Sequence, residues 1–437
     1  MKSAAASPKS SFLWLGVLGL LAAAAIGALL FLLLHPPPAP TAAVKSGVTA
    51  VAPRPLLAYE PVSIGFPVEG NPIITHLAVT DLDLDGLQDV LVCDARTDSI
   101  GWIRQFPRGV FTEQVIGDKV AGPAHISVCD INADGRPDLL VASMGKIMPN
   151  NDRLGKVVVL ENLGGGRFRN RVLAENIARV TDVRGVDLNG DRRLDLVVGQ
   201  FGYDQGEIRW MENLGNWEFR SHPVLNLPGT IMTPVADYDG DGRPDFAALV
   251  SQDAEEIHLF RNSGNGQFRD SVLWKAKDES WGSSGLDAGD LNRDGRPDLV
   301  FSNGDGFNVG FTEPSPWHGL QWLENRGEGN FAYHRIGDMP GCYSPVLADV
   351  NSDGFTDIVA VSGFNHVNDP NAVWMTAWLN DGRQQFTPVP LAHEPTRLIT
   401  LATGDLDGNG IPVLITGGFH AYPLASHMSR VTLWRRK

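Results

Sequence analysis

Cysteine is nearly absent from this sequence. Its three copies, Cys93, Cys129 and Cys342, are odd in number and show no CxxC spacing, which excludes a closed disulfide framework and leaves them as ordinary buried residues. Also missing are GxSxG, HExxH, CxxCH and the glycine-rich Rossmann and P-loop fingerprints, so no familiar catalytic constellation is legible. There is no basic stripe, and the formal charge is −15, which argues against nucleic-acid binding. With 43% hydrophobic and 20% charged residues, the bulk of the chain is globular rather than disordered.

Charge is missing altogether from residues 12–34, FLWLGVLGLLAAAAIGALLFLLL. As a helix these 23 residues would be about 35 Å long, enough to cross a bilayer. Lys2 and Lys9 precede them, placing residues 1–11 in the cytoplasm and everything after Leu34 outside, in the periplasm or at the cell surface. A cleaved signal peptide is the competing reading, but its apolar region is shorter and His35-Pro36-Pro37-Pro38 is a poor cleavage site. Residues 35–56, rich in Pro, Ala, Val and Thr, are expected to form an extended tether to a domain spanning 57–437.

That domain is built on a repeat. The pattern D-x-[DN]-x-[DN]-x-x-x-D recurs as Asp81/Asp83/Asp85/Asp89, Asp130/Asn132/Asp134/Asp138, Asp187/Asn189/Asp191/Asp195 and Asp237/Asp239/Asp241/Asp245. It continues as Asp290/Asn292/Asp294/Asp298, Asp349/Asn351/Asp353/Asp357 and Asp405/Asp407/Asn409. The first positions lie 49, 57, 50, 53, 59 and 56 residues apart, a period that suits one supersecondary unit per repeat.

The spacing within each copy suits calcium. Side-chain oxygens at positions 1, 3 and 5, a backbone carbonyl at 7 and a carboxylate at 9 can converge on one hard cation, with Gly at 6 permitting the turn. The carbonyl donors would be Leu87, Arg136, Arg193, Arg243, Arg296, Phe355 and Ile411. Oxygen-only ligation favours Ca²⁺ over transition metals. An EF-hand is excluded, because position 12 is Val92, Val141, Val198, Ala248, Phe301, Ala360 or Thr416 rather than the required Glu. The seven loops hold 22 Asp side chains at ligand positions, and seven Ca²⁺, adding fourteen positive charges, would bring −15 to −1.

Each loop leads into a short β-rich run such as Asp195-Leu-Val-Val-Gly. Another strand, an Asn-x-Gly turn and a Phe-led strand follow, as in Trp210-Met-Glu-Asn213-Leu-Gly215 leading to Phe219. The expected fold is therefore all-β, a seven-bladed β-propeller of four-stranded antiparallel blades, preceded by one N-terminal transmembrane helix. The seventh unit stops at Trp434-Arg-Arg-Lys437 without its fourth strand, and the segment from Tyr59 to Phe66 is positioned to supply it and close the ring.

Over residues 58–437 these motifs resemble the FG-GAP and VCBS-type repeats of integrin α-subunit propellers and of many bacterial surface proteins. The resemblance implies a seven-bladed propeller with calcium in the first inter-strand loop of each blade. Gly-Ala-Pro is missing, which makes the likeness nearer to the bacterial VCBS version. Copy three has Arg192 where Gly belongs and copy seven has Val413 in place of the last Asp, so the expected occupancy is five to seven ions.

The connections opposite the calcium loops vary most in length, and variable loops on a rigid scaffold carry binding. The long loops and the corresponding one in the last unit hold Phe311, Trp317, His318, Asn365, His366, Trp374, His420 and Tyr422, a set suited to a glycan or protein partner. His76 and His125, each five residues before the first Asp of its repeat, are expected near each other at the channel mouth, as a metal or haem ligand pair or as two satisfied histidines. A binding or scaffold role with structural calcium is the expected function. The alternatives are a calcium-dependent, lyase-like polysaccharide enzyme and a purely structural subunit of a membrane complex.

Overall fold

The computed structural model describes residues 57–437 except 149, 253, 278–279, 307–313 and 423–425. The apolar span 12–34 and the tether 35–56 lie outside the described residues. Among the described residues no helix is long and apolar enough to cross a membrane.

Strand type follows burial. The second strand of every blade, as in Asp89–Asp94, Asp138–Ser143 and Asp357–Ser362, is buried at every position or nearly so. That is why these segments read as continuous apolar runs, packed on both faces by neighbouring blades. Fourth strands such as Phe111–Ile116 and Glu218–Leu225 mix exposed and half-buried positions, as expected at an outer rim.

Seven antiparallel sheets result. The first contains Ile74–Thr80, Asp89–Asp94, Ser99–Gln105 and Phe111–Ile116 in chain order. The next five occupy residues 123–177, 179–225, 230–275, 283–338 and 342–392. In the fourth sheet the first strand is broken into Thr230–Met232 and Val235–Ala236, both pairing with Asp245–Val250. The seventh takes Leu398–Gly404, Val413–Gly418 and Val431–Arg436 from the end of the chain and Tyr59–Ser63 from its beginning. Tyr59 pairs with Arg436 and Ser63 with Thr432, so the ring closes as the sequence suggests.

First strands face the central channel, and small hydroxyl side chains bind neighbouring blades together there. Thr75 Oγ1 donates to Pro123 O at 2.5 Å, Thr181 Oγ1 to Thr230 O at 2.7 Å and Ser284 Oγ to Cys342 O at 2.6 Å. These bonds also satisfy carbonyls that a first strand, lying at the edge of its own sheet, leaves unpaired.

Candidate metal loops and the central channel

In every blade the Asp-rich segment connects the first strand to the second, so all seven loops share one face. Each loop is wound by its own first Asp. In the fourth loop Asp237 accepts from Asp241 N at 3.1 Å and from Gly242 N at 2.8 Å, and Asp241 accepts from Arg243 N at 2.9 Å. The same three bonds recur in the seventh loop, where Asp405 accepts from Asn409 N and Gly410 N, and Asn409 from Ile411 N. The loss of the ninth carboxylate at Val413 therefore leaves the winding intact.

The winding forces positions 4 and 6 into the left-handed region, for example Ser352 at φ 60° and Gly354 at φ 89°. At Gly242 an added Cβ would meet open space, so the dihedral alone selects glycine there. Arg192 occupies the same position at φ 71°. A left-handed non-glycine residue costs about 1–2 kcal/mol, part of which glycine returns through its more flexible unfolded chain. Arg192→Gly is expected to raise stability by about 0.5–1 kcal/mol, read by thermal or urea unfolding.

The ninth-position carboxylates Asp89, Asp138, Asp195, Asp245, Asp298 and Asp357 are fully buried. Burial raises Asp245 to about 6 against the bonds that favour its ionised form, those from Asn262 N and Tyr238 N. Asn262 N donates to Asp245 Oδ1 at 2.7 Å, while Asn262 Nδ2 reaches Pro244 O in its own blade and Leu188 O in the preceding one. Asn325 repeats this arrangement with Asp298, Pro297 and Tyr238. Gln105 takes the role in the first blade, donating to Leu406 O, and Arg436 in the last, donating to Val350 O. In the second, fourth, fifth and sixth blades the Asn of the Asn-x-Gly turn is thus more than a turn former, since it ties its own metal loop to its neighbour's, whereas Asn213 Nδ2 in the third donates to Leu194 O of its own blade. Sequence alone marks the residue but not its partner some 80 positions away.

Guanidinium groups lie against several loops. Arg136, Arg193, Arg243 and Arg296 at position 7 each reach the fifth-position carboxylate of their own loop. The first and seventh loops have Leu87 and Ile411 there, and the cation comes instead from the third strand. Arg104 pairs with Asp83 at 2.6 Å and Asp85 at 2.9 Å, and Arg435 holds Asp407 with both oxygens within 3.1 Å.

The donor set of the first and fourth loops fits calcium. Asp81, Asp83 and Asp85 bring carboxylate oxygens within 4.8 Å of one another, as do Asp237, Asp239 and Asp245. Asp83 Oδ1, and Asp138 Oδ2 in the second loop, are buried without a hydrogen-bond partner. A hard cation would satisfy such oxygens.

The loops differ in how their carboxylates converge, for among the described residues no other loop brings three carboxylates together in this way. In the second, third, fifth and sixth loops the residues expected as ligands at positions 3 and 5 are bonded to each other. Asn132 Nδ2 donates to Asp134 Oδ2 at 3.2 Å, and Asn189 Nδ2 to Asp191 Oδ2 at 3.3 Å. Asn292 Nδ2 donates to Asp294 Oδ2 and Asn351 Nδ2 to Asp353 Oδ2, both at 2.9 Å. The other end of each amide is engaged as well, since Oδ1 of Asn132, Asn189, Asn292 and Asn351 accepts from the backbone N of Asp134, Asp191, Asp294 and Asp353 at 2.8–3.1 Å. The reason lies in the side chain at position 3. An ionised carboxylate there, Asp83 or Asp239, has no proton to donate and leaves its neighbour's oxygens alone, whereas an amide carries a donor and an acceptor and can bond to both ends of the same Asp. Ligation by these four loops would require the Asn–Asp bonds to open.

The long-loop residues do not form one displayed patch. Trp374, His420 and Tyr422 are buried, Trp374 and Tyr422 within one apolar cluster. His318 is buried and accepts from Gly341 N through Nδ1 at 3.2 Å. Trp317 is 38% exposed with its indole N–H on Ser280 O, Asn365 is half-buried with its amide on Val373 O, and His366 is exposed. Phe311 lies outside the described residues.

Burial pushes the His318 pKa down from 6.5 to about 4. The unfolded chain takes up a proton between those values that folded His318 refuses, so stability falls as pH drops from about 6.5 toward 4. Between pH 7.5 and 5 a His318→Gln variant is expected to lose about 2 kcal/mol less stability than the wild type in urea titrations.

His76 and His125 do meet. Their ring centroids are 3.9 Å apart in the channel, with His76 Nδ1 accepting from Ile126 N and His125 Nδ1 3.0 Å from buried Asp182. Asp182 also accepts from Thr233 N and pairs with Arg184, which holds its carboxyl far below the usual range despite burial.

Fold and loops together define a repeat protein, a closed seven-bladed β-propeller with an Asp-rich loop in each blade. More particularly, the FG-GAP-like repeat family matches residues 81–141, 187–248 and 237–301, which carry the first five Asp loops. The chain is similar to cartilage acidic protein 1 of Mus musculus, 24% identical over 267 residues, covering 53% of this chain and 40% of that protein. For the Homo sapiens protein of the same name the values are 23%, 53% and 39%. The chain thus matches about 40% of the length of these curated relatives.

Proposed function

We propose that this chain is a membrane-anchored, extracytoplasmic propeller that binds calcium in its Asp loops and serves as a binding or scaffold module. Its protein or glycan partner engages the face opposite those loops. The observation that carries the reading is the loop itself, repeated seven times with the same winding bonds and with carboxylate oxygens converging in the first and fourth copies. The side chains at positions 1, 3, 5 and 9 and the carbonyl at 7 would hold each ion. In the four loops with Asn at position 3, the ion would replace the amide that now holds the fifth-position Asp. Bound calcium would neutralise the clustered carboxylates and fix the connection between first and second strands, leaving the opposite loops on a rigid platform. The uncharged span 12–34 supports the anchor.

The sites are not equal. Asp241 belongs to a loop with all four side-chain ligands, whereas Asp407 lacks a ninth-position carboxylate beside it; each is paired with an arginine, Arg243 and Arg435 respectively, so the missing ligand is what separates them. Asp241→Asn is expected to remove one calcium from the stoichiometry measured by native mass spectrometry, and Asp407→Asn to leave it unchanged. Equal losses would overturn this ranking, and a wild-type chain without calcium would overturn the metal reading.

A further inference from the structure

On the face opposite the Asp loops the channel opens into a cavity of about 200 Å³ lined by Arg179, Phe201, Tyr203, Tyr343, His76 and His125 among others. Arg179, at the start of the third blade's first strand, is only 4% exposed. Its Nη2 donates to Ile147 O at 2.9 Å, but Nε and Nη1 find no acceptor among the described residues. The guanidinium carbon lies 5.2 Å from the centroid of the Phe201 ring. Burial pulls its pKa down, opposed by the Tyr203 phenol, and among the described residues no carboxylate pairs with it. Arg184, further along the same strand, is by contrast paired with Asp182 at 3.0 Å.

A buried guanidinium with two unused donors is costly to maintain, and its planar fork matches a carboxylate. Aromatic walls suit a flat or ring-shaped body. We infer that this cavity binds an organic carboxylate carried on a ring, with Arg179 taking the carboxylate and the aromatic side chains enclosing the ring. This rests on the binding-module reading above and names a site and ligand class for it. An aromatic acid and a sugar acid share this chemistry.

The test is isothermal titration of the full chain in detergent with benzoate and galacturonate, each beside its neutral counterpart, benzamide and galactose. At least one acid is expected to bind saturably and roughly tenfold or more tightly than its counterpart. Preference for benzoate identifies an aromatic acid, preference for galacturonate a sugar acid. Arg179→Met is expected to reduce acid binding to the level of the neutral compound while the melting temperature holds or rises, because a buried charge with no paired carboxylate among the described residues has been removed. The inference is overturned if neither acid exceeds its counterpart, or if Arg179→Met lowers the melting temperature and leaves acid binding intact. Calcium counted on the same samples separates the two readings: acid binding without bound calcium sinks the metal reading and leaves this site standing.

Discussion

Chelation of calcium with EDTA is expected to lower the melting temperature of the full chain steeply, with five to seven ions lost in native mass spectrometry. Extracellular calcium modules have dissociation constants of about 10⁻⁴ to 10⁻³ M, so at about 2 mM calcium each occupied loop contributes roughly 0.6–1.8 kcal/mol. Five loops then contribute about 3–9 kcal/mol, comparable with the whole net stability of an ordinary domain. The internal guanidinium groups limit the loss. Arg136, Arg193, Arg243 and Arg296 partly neutralise their loops without metal, as Arg104 and Arg435 do in the first and last blades. The metal-free ring is therefore expected to remain folded at low temperature, with intact far-ultraviolet circular dichroism and a lower transition. An unchanged transition with no bound ions would show the Asp loops to be turns only.

The architecture was legible because a propeller repeats one local rule. Period, turn chemistry and apolar second strands are each encoded within about fifty residues, and the missing fourth strand of the last unit pointed directly to Tyr59. Interactions between blades were not legible in the same way. Nothing near Asn262 names Leu188 as its partner, and nothing near Arg179 shows that its guanidinium is buried with Nε and Nη1 unpartnered among the described residues. The long loops misled for a related reason. Trp374 and His420 look like display residues in a variable loop, yet those loops fold back so that both side chains are buried. Length and composition of a loop carry no information about whether it packs against the scaffold. Within the Asp loops, Asn and Asp at position 3 read as equivalent oxygen donors, yet only the amide can also donate, and it bonds to position 5 instead of pointing at a shared centre. The arginines at position 7 were counted only for their carbonyls, although their side chains are the loops' nearest cations. The sequence places each beside its Asp, but the direction of its side chain is set by the third-strand carbonyl that Nε binds, such as Asn262 O for Arg243 at 2.8 Å.

Replacing Arg430 by Met is expected to destabilise the propeller by about 3–5 kcal/mol, the largest effect of any single substitution considered. Arg430 precedes the last strand, and its side chain crosses the seam where the two ends of the chain close the ring. Its Nη1 and Nη2 donate to the two oxygens of Glu113 at 2.6 and 2.8 Å, and Nε lies 3.3 Å from Asp94 in the first blade. Glu113 Oε2 also accepts from Phe66 N at 2.6 Å, just beyond the closing strand, and the guanidinium covers the Phe66 ring at 5.5 Å. One arginine thereby fixes the amino-terminal strand, the first blade and the last. The Glu113 side chain is fully buried, so losing its bidentate partner leaves an uncompensated charge in the interior, which is why the cost far exceeds that of a surface pair. The double variant Arg430→Met, Glu113→Met removes both charges and is expected to recover most of the loss, a non-additivity that unfolding of the four members of the cycle measures directly. If strand pairing by Tyr59–Ser63 closes the ring unaided, the single variant will change stability by no more than about 0.5 kcal/mol, as an ordinary surface substitution does. Proteolysis near residue 66 should discriminate in parallel, because a weakened seam exposes that segment before the blades themselves unfold.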